Sequence, residues 1–258
     1  MAFEISNNEN FRNNLLQRLG LLGYIVKSEI EFTGLSEKNI DSILESKTKS
    51  KTDLKLQLGF CSNDKIVNIS IKKSLGGQVY LITPNNFING MENKIGKIND
   101  DIKLAINLYW GSYDDIDNII DKHGVNKSYE FRKSRLLGDT LKNFNTKLYN
   151  DLLLWFKTNI YAITKFVFST GLSLDKNTWA EYLWYINFVD NKNIDKIFSI
   201  EDICKKSEEH KELISYSIRK GSTINLPFGF VQWHQNSIQF HHKYDKIEKL
   251  FQLHELGQ

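Results

Sequence analysis

Residues 51–73 read KTDLKLQLGFCSNDKIVNISIKK. Two runs within this segment alternate. Leu54, Leu56 and Leu58 fall on one side of an extended chain, and Asp53, Lys55 and Gln57 on the other. Val67, Ile69 and Ile71 repeat the pattern against Asn68, Ser70 and Lys72. Ser62, Asn63 and Asp64 suit a turn between them. This hairpin constrains the fold more than any other stretch. Its apolar face must be covered, and its other face gathers Asp53, Ser70 and Lys72. A turn centred between residues 62 and 63 puts Asp53 directly opposite Lys72. A small slip in register still leaves them neighbours.

Such a face has two readings. One is a cross-strand ion pair on a solvated surface, worth a few tenths of a kcal/mol. The other is chemical. A carboxylate can hold a hard divalent cation, which polarises a phosphate and lowers the pKa of a bound water. An ammonium group beside it orients that water or offsets the growing negative charge. Asp is a poor strand former, and here it stands at the mouth of a strand. The second strand runs into KKSLGGQVY, whose small residues allow a backbone to approach a ligand.

At 258 residues the chain can bury a substantial core, and one compact body with two lobes is expected, about 1–122 and 123–258. The formal charge of +3 names no partner by itself. Cys61 and Cys204 stand apart, with no CxxC or Cys/His spacing, which fits a reducing compartment. MAFEISNNENFRNN lacks the pattern of a signal peptide. The most apolar run, 148–168, is broken by Asp151, Lys157 and Lys165 and falls short of a membrane span. The expectation is a soluble, cytoplasmic protein.

Residues 6–22 read as an amphipathic helix with Phe11, Leu15, Leu16, Leu19 and Leu22 on one face, capped by Ser6 or Asn7. Residues 24–32 read as a strand or a continued helix. Residues 35–51 read as a helix with Ser36 at its start and Ile40, Ile43 and Leu44 on one face. A strand in 75–87 is stopped by Pro84. Residues 94–122 read as helical, 123–137 as a basic loop or helix start, and 139–168 as one long helix. TWAEYLWYINF and SIEDICKKSEEH read as further helices, and 215–244 as two or three strands with turns at Lys220-Gly221 and Gln235-Asn236. The order gives a mixed α/β (α+β) body.

The pattern TD, sixteen residues, then S-x-K, on a hairpin behind an N-terminal helix, resembles the PD-(D/E)xK nuclease fold. SKTDLKLQL followed by VNISIKKS is more similar still to the small monomeric type II restriction endonucleases of the MspI and HinP type. The segments SLGGQVY, FRKSR, NDLLLWFKTN and RKGSTINLPFGFVQW follow in the same order over most of the chain. The resemblance implies a central mixed sheet flanked by helices, with a second lobe carrying the C-terminal strands and contributing to DNA binding. It implies magnesium-dependent cleavage of double-stranded DNA at a short, about four-base, G/C-containing palindrome. It also implies a monomer with a cognate DNA methyltransferase as its companion in the cell.

Carried over by position, Asp53 is the metal carboxylate, Lys72 the catalytic lysine, and Ser70 occupies the third motif position. The Ile71 carbonyl faces the metal. Ser70 departs from the relatives, which carry Asn or Gln there, and a short neutral hydroxyl is a weak ligand. Glu9 offers a second carboxylate from the first helix; its other reading is a helix-start glutamate favoured by the dipole. Lys73, Arg132, Lys133, Arg135, Arg219, Lys220 and Ser222 are the phosphate-contact candidates, against a plain solvated surface. Gln78, just past a Gly-Gly turn, is the candidate base reader. His241 and His242 point to opposite faces of a strand and are not read as a metal pair. The alternatives are a nuclease of this fold with a repair or mobile-element role, and a DNA-binding module without catalysis.

Overall fold

The computed structural model describes residues 1–31, 39–60, 63–111, 136, 138–189, 193–218 and 221–255, with side chains up to 252. The chain divides into two compact units, each built from two separate segments: Met1–Leu75 with Phe168–Asp202, and Gly76–Val167 with Ile203–Gln258. The units interleave along the chain instead of meeting once near residue 122, a position outside the described residues.

The first unit opens with two short helices, α1 (Ala2–Asn7) and α2 (Glu9–Arg18). Asn8 separates them, and its side chain caps α2 by accepting from the Phe11 N–H. The single helix expected over 6–22 is therefore two, and Leu22 is exposed. The main sheet has five strands in the order β1, β4, β5, β7, β8: β1 (Ile25–Glu31), β4 (Leu54–Phe60), β5 (Asn63–Lys72), β7 (Tyr182–Asn187) and β8 (Ile194–Ser199). All neighbours are antiparallel except β5 and β7. Ile5, Leu15, Leu16 and Leu19 from the helices bury Leu54, Leu56, Leu58, Val67 and Ile69 in one cluster with Trp184. The apolar face of the hairpin is thus the face the helices cover. Arg18 adds a bidentate bond to Asp195, whose carboxylate also accepts from the Trp184 indole at 2.6 Å.

Two readings change here. Residues 39–48 form two short strands, β2 (Ile40–Asp41) and β3 (Lys47–Thr48), with Glu45 at φ +54° between them; Ser36 lies outside the described residues. The TWAEYLWYINF segment supplies β7, not a helix. Leu183, Trp184 and Tyr185 are buried in succession, as both faces of a central strand with a parallel partner are covered.

The second unit holds an antiparallel sheet in the order β6, β12, β11, β10, β9. Its strands are β6 (Gly76–Ile82), β9 (Ser215–Tyr216), β10 (Thr223–Leu226), β11 (Gly229–His234) and β12 (Ser237–Lys243). Gln235 and Asn236, both at positive φ, make the tight turn between β11 and β12. Thr83 caps α3 (Pro84–Ile95) with Pro84 in its first turn, so the proline ends β6 and starts a helix. Then follow α4 (Asp100–Trp110), α5 (Gly138–Phe144), α6 (Thr146–Thr158), α7 (Ile160–Lys165), α8 (Ile200–Glu209) and α9 (Tyr244–Glu255). The run read as one helix over 139–168 is cut at Asn145, which caps α6, and at Asn159. Phe87 lies against Phe156, Phe166 and Phe240 in the core of this unit.

Candidate active site

The hairpin pairs Phe60 with Asn63 and Leu54 with Ile69. Asn63 and Asp64 are strand residues, so the connection is tighter than the one expected at 62–64. The register moves by two residues, which keeps every side chain on its face. One step beyond the last pair, Asp53 stands across from Ser70 instead of Lys72, with its N–H on the Ile69 carbonyl at 2.9 Å.

The three side chains still meet. Asp53 Oδ2 accepts from the Ile71 N–H at 2.7 Å and from Ser70 Oγ at 3.1 Å. Lys72 Nζ donates to Ser70 Oγ at 2.8 Å. Ser70, only 4% exposed, is a strap between the acid and the lysine. Its oxygen accepts a hydrogen bond from Lys72, and its hydroxyl donates one to Asp53. That geometry gives a neutral side chain at the third motif position a role in holding the other two. Burial pushes the Lys72 ammonium below the usual lysine range, against the opposing pull of Asp53.

The segment leading into Asp53 is anchored from far along the chain. Ser50 and Thr52, both buried, donate their hydroxyls to the Thr178 carbonyl at 2.9 and 3.0 Å. The Thr52 N–H returns to Ser50 Oγ at 2.9 Å. The Ser/Thr-rich run TKSKTD was the only sequence trace of this clamp. Between its two anchors stands Lys51, which sequence reasoning passed over. Burial and the neighbouring Lys72 ammonium push Lys51 well below the usual lysine range, with Asp53 opposing.

The remaining candidates fall in different places. Glu9 is exposed in the first turn of α2, whose buried residues face Leu54, and no hydrogen bond or ion pair among the described residues joins it to Asp53. Lys73 is exposed next to the cluster, and its carbonyl accepts from Asn187. Gln78, exposed on β6 of the second unit, accepts from Gln239 at 2.7 Å. Gln239 in turn accepts from Gln232, which meets His241 Nε2 at 3.2 Å. His241 stacks on Phe230, whereas His242 is buried, in keeping with their opposite faces. Ser222 is 2% exposed, and its hydroxyl donates to the Leu136 carbonyl. Arg132, Lys133, Arg135, Arg219 and Lys220 lie outside the described residues.

A two-segment mixed-sheet body with Asp, Ser and Lys meeting on one hairpin invites comparison with known structures. The solved structure of restriction endonuclease MspI in complex with its cognate DNA matches with a TM-score of 0.52. The match covers 90% of this chain and 77% of that one, at 13% identity. The fold is restriction-endonuclease-like. No family model matches the sequence, and no curated protein matches it. The restriction-endonuclease-like fold therefore rests on the course of the chain. No described helix is long and apolar enough to cross a membrane.

Proposed function

We propose that the protein is a magnesium-dependent type II restriction endonuclease that hydrolyses phosphodiester bonds of double-stranded DNA at a short G/C-containing palindrome. The observation that carries this reading is the Asp53–Ser70–Lys72 chain of hydrogen bonds on a restriction-endonuclease-like fold.

The donor set fits a magnesium ion. Asp53 Oδ2 is committed to Ile71 N–H and Ser70, so Oδ1 is the oxygen we assign to the metal. In a strand the carbonyl of a residue points to the same neighbour as its N–H. The Ile71 carbonyl, our second ligand, then faces the Asp53 strand. Among the described residues no group of three or more His, Cys, Asp or Glu surrounds a common point. One carboxylate, one carbonyl and waters suit magnesium, which keeps much of its hydration and adds substrate phosphate oxygens. When bound, the ion polarises the phosphate and makes a bound water acidic.

The chain's own residues do the rest. Asp53 fixes the position of the ion. Lys72 orients the attacking water and offsets the charge that develops on the phosphoryl oxygens. Ser70 holds the two at a constant separation, so neither has to be ordered when DNA arrives. Lys73, Arg132, Lys133, Arg135, Arg219 and Lys220 are the proposed phosphate contacts, and Gln78 the proposed base reader. An amide chain through Gln239 and Gln232 holds the Gln78 side chain in place. A monomeric enzyme and a companion methyltransferase belong to the same reading.

The test is a digest of sequenced linear DNA of several tens of kilobases, in low salt, with and without magnesium. Discrete magnesium-dependent fragments are expected, and their ends give the site. A smear points to a nuclease of this fold with another role. DNA intact under all conditions overturns the proposal.

A further inference from the structure

We propose that the short 3₁₀ turn Lys176–Thr178 is a brace for the active site, through which Thr52 and Asn68 act as positioning residues for Asp53 and Ser70. The inference rests on the nuclease reading above. The turn grips side chains from both strands of the hairpin. On the β4 side, Ser50 and Thr52 donate to the Thr178 carbonyl. On the β5 side, Asn68 Nδ2 donates to the Asn177 carbonyl at 2.9 Å. Thr52 directly precedes Asp53, and Asn68 stands two residues before Ser70 on the same face of its strand. The Ser70–Asp53 hydrogen bond then closes a frame that runs from the turn along each strand to the site. Ladder pairing ends at Leu54 and Ile69, so the lateral position of Asp53 depends on what lies just before it. The brace is built for direction. Ser50, Thr52, Asn68 and Thr178 are each 3% exposed or less. Apolar side chains would fill the same space without desolvating four polar groups. Hydrogen bonds weaken steeply as their geometry is lost, so they set a position more narrowly than apolar packing does. The turn is itself fixed from within. The Asp175 carboxylate accepts from the Asn177 N–H at 2.9 Å, and the Asp175 carbonyl accepts from Thr178 Oγ1 at 2.7 Å. Glu181, just beyond the turn, holds the Asn68 backbone: its N–H donates to the Asn68 carbonyl at 2.8 Å, and its carboxylate accepts from the Asn68 N–H at 3.1 Å.

The experiment compares the wild type with Thr52→Val, which keeps the shape and loses the hydroxyl, Thr52→Ser, which restores the hydroxyl, and Asn68→Ala on the other strand. Thr164→Val is the control. Thr164 is a buried threonine of the other unit, and its hydroxyl donates to the Ile160 carbonyl of its own helix. Amide hydrogen exchange is followed by NMR in metal-free protein. In Thr52→Val the Asp53 and Ile71 amides exchange about 10-fold faster, because one lies on the Ile69 carbonyl and the other on Asp53 Oδ2. Leu56 and Val67, deeper in the hairpin, keep their wild-type rates. With magnesium, single-turnover cutting of a duplex carrying the mapped site slows by about 10²-fold, while binding of that duplex in EDTA is unchanged. Asn68→Ala moves exchange and rate in the same direction, and Thr52→Ser returns both toward the wild type. Thr164→Val lowers the melting temperature and leaves cutting per folded molecule unchanged. If Thr52→Val does not fold, Ser50→Ala and Asn68→Ala carry the same expectations. Any of three results overturns the proposal: wild-type cutting per folded molecule in the brace variants, unchanged exchange at Asp53 and Ile71, or no recovery in Thr52→Ser. If the wild type itself leaves DNA intact with magnesium, the nuclease reading fails first and the positioning role falls with it. A wild type that cuts beside unaffected brace variants fails the brace alone.

Discussion

Ser70 carries the most specific claim at the scale of single residues. Its hydroxyl joins Lys72 to Asp53, so Ser70→Ala removes the strap without removing a charge. The cleavage rate of Ser70→Ala should fall about 10- to 10²-fold with DNA affinity unchanged, read as single-turnover rate against anisotropy. The two lysines make a second prediction, in metal-free protein. Both have folded pKa values below 10.5, so over that window the unfolded chain binds more protons than the folded one. Stability then rises with pH as it climbs toward 10.5. Melting scans between pH 8 and 10 should show this rise in the wild type and a flatter line in a Lys51→Met, Lys72→Met double variant. Period-two alternation alone placed Asp53, Ser70 and Lys72 on one face. It could not give the register, because that depends on the length of the connection after Phe60. Lys51 precedes the strand, where alternation says nothing. Its clamp comes from Thr178, more than a hundred residues later, and no local pattern reports it.

Among the elements, helix and strand were confused for two reasons, burial of both faces in one case and an accidental helical spacing of apolar residues in the other. The α8 segment, with its polar face, reads correctly as a helix. β7 does not read as a strand, because Leu183, Trp184 and Tyr185 are all buried and leave no alternation. The β2–β3 segment mimics a helix through Ile40, Ile43 and Leu44, but only Ile40 of these sits in a strand. The β11–β12 pair yields a prediction at this scale. A Cβ on Gly229 would lie 1.9 Å from the His241 carbonyl oxygen, a backbone atom of the neighbouring strand that cannot step aside. Gly229→Ala should cost about 2–3 kcal/mol in urea unfolding. Gly59→Ala meets only the flexible end of Lys27, so a change within about 0.5 kcal/mol is expected there. Equal effects at the two sites would contradict the packing described for β11 and β12.

For the whole molecule, the two-unit division follows from one feature of the first sheet. β5 and β7 are parallel neighbours, and parallel strands require a crossover. The chain makes that crossover through the whole of Gly76–Val167, which is itself most of the second unit. A boundary search along the sequence could not find this, since no linker marks it. The same excursion separates Ser50 and Thr52, which lead into Asp53, from the Thr178 carbonyl that both bond, so the lead into the site is anchored only when both segments of the first unit are folded. The central claim is that the Asp53–Ser70–Lys72 cluster is where DNA is cut. The most direct measurement is the magnesium digest repeated with Asp53→Asn, which keeps the shape of the side chain and removes its charge. The account predicts loss of the discrete fragments by about 10³-fold or more, with binding of the same DNA in EDTA equal to or tighter than the wild type. An Asp53→Asn protein that cuts at the wild-type rate would leave the cluster as a structural chain of hydrogen bonds and place the cutting elsewhere.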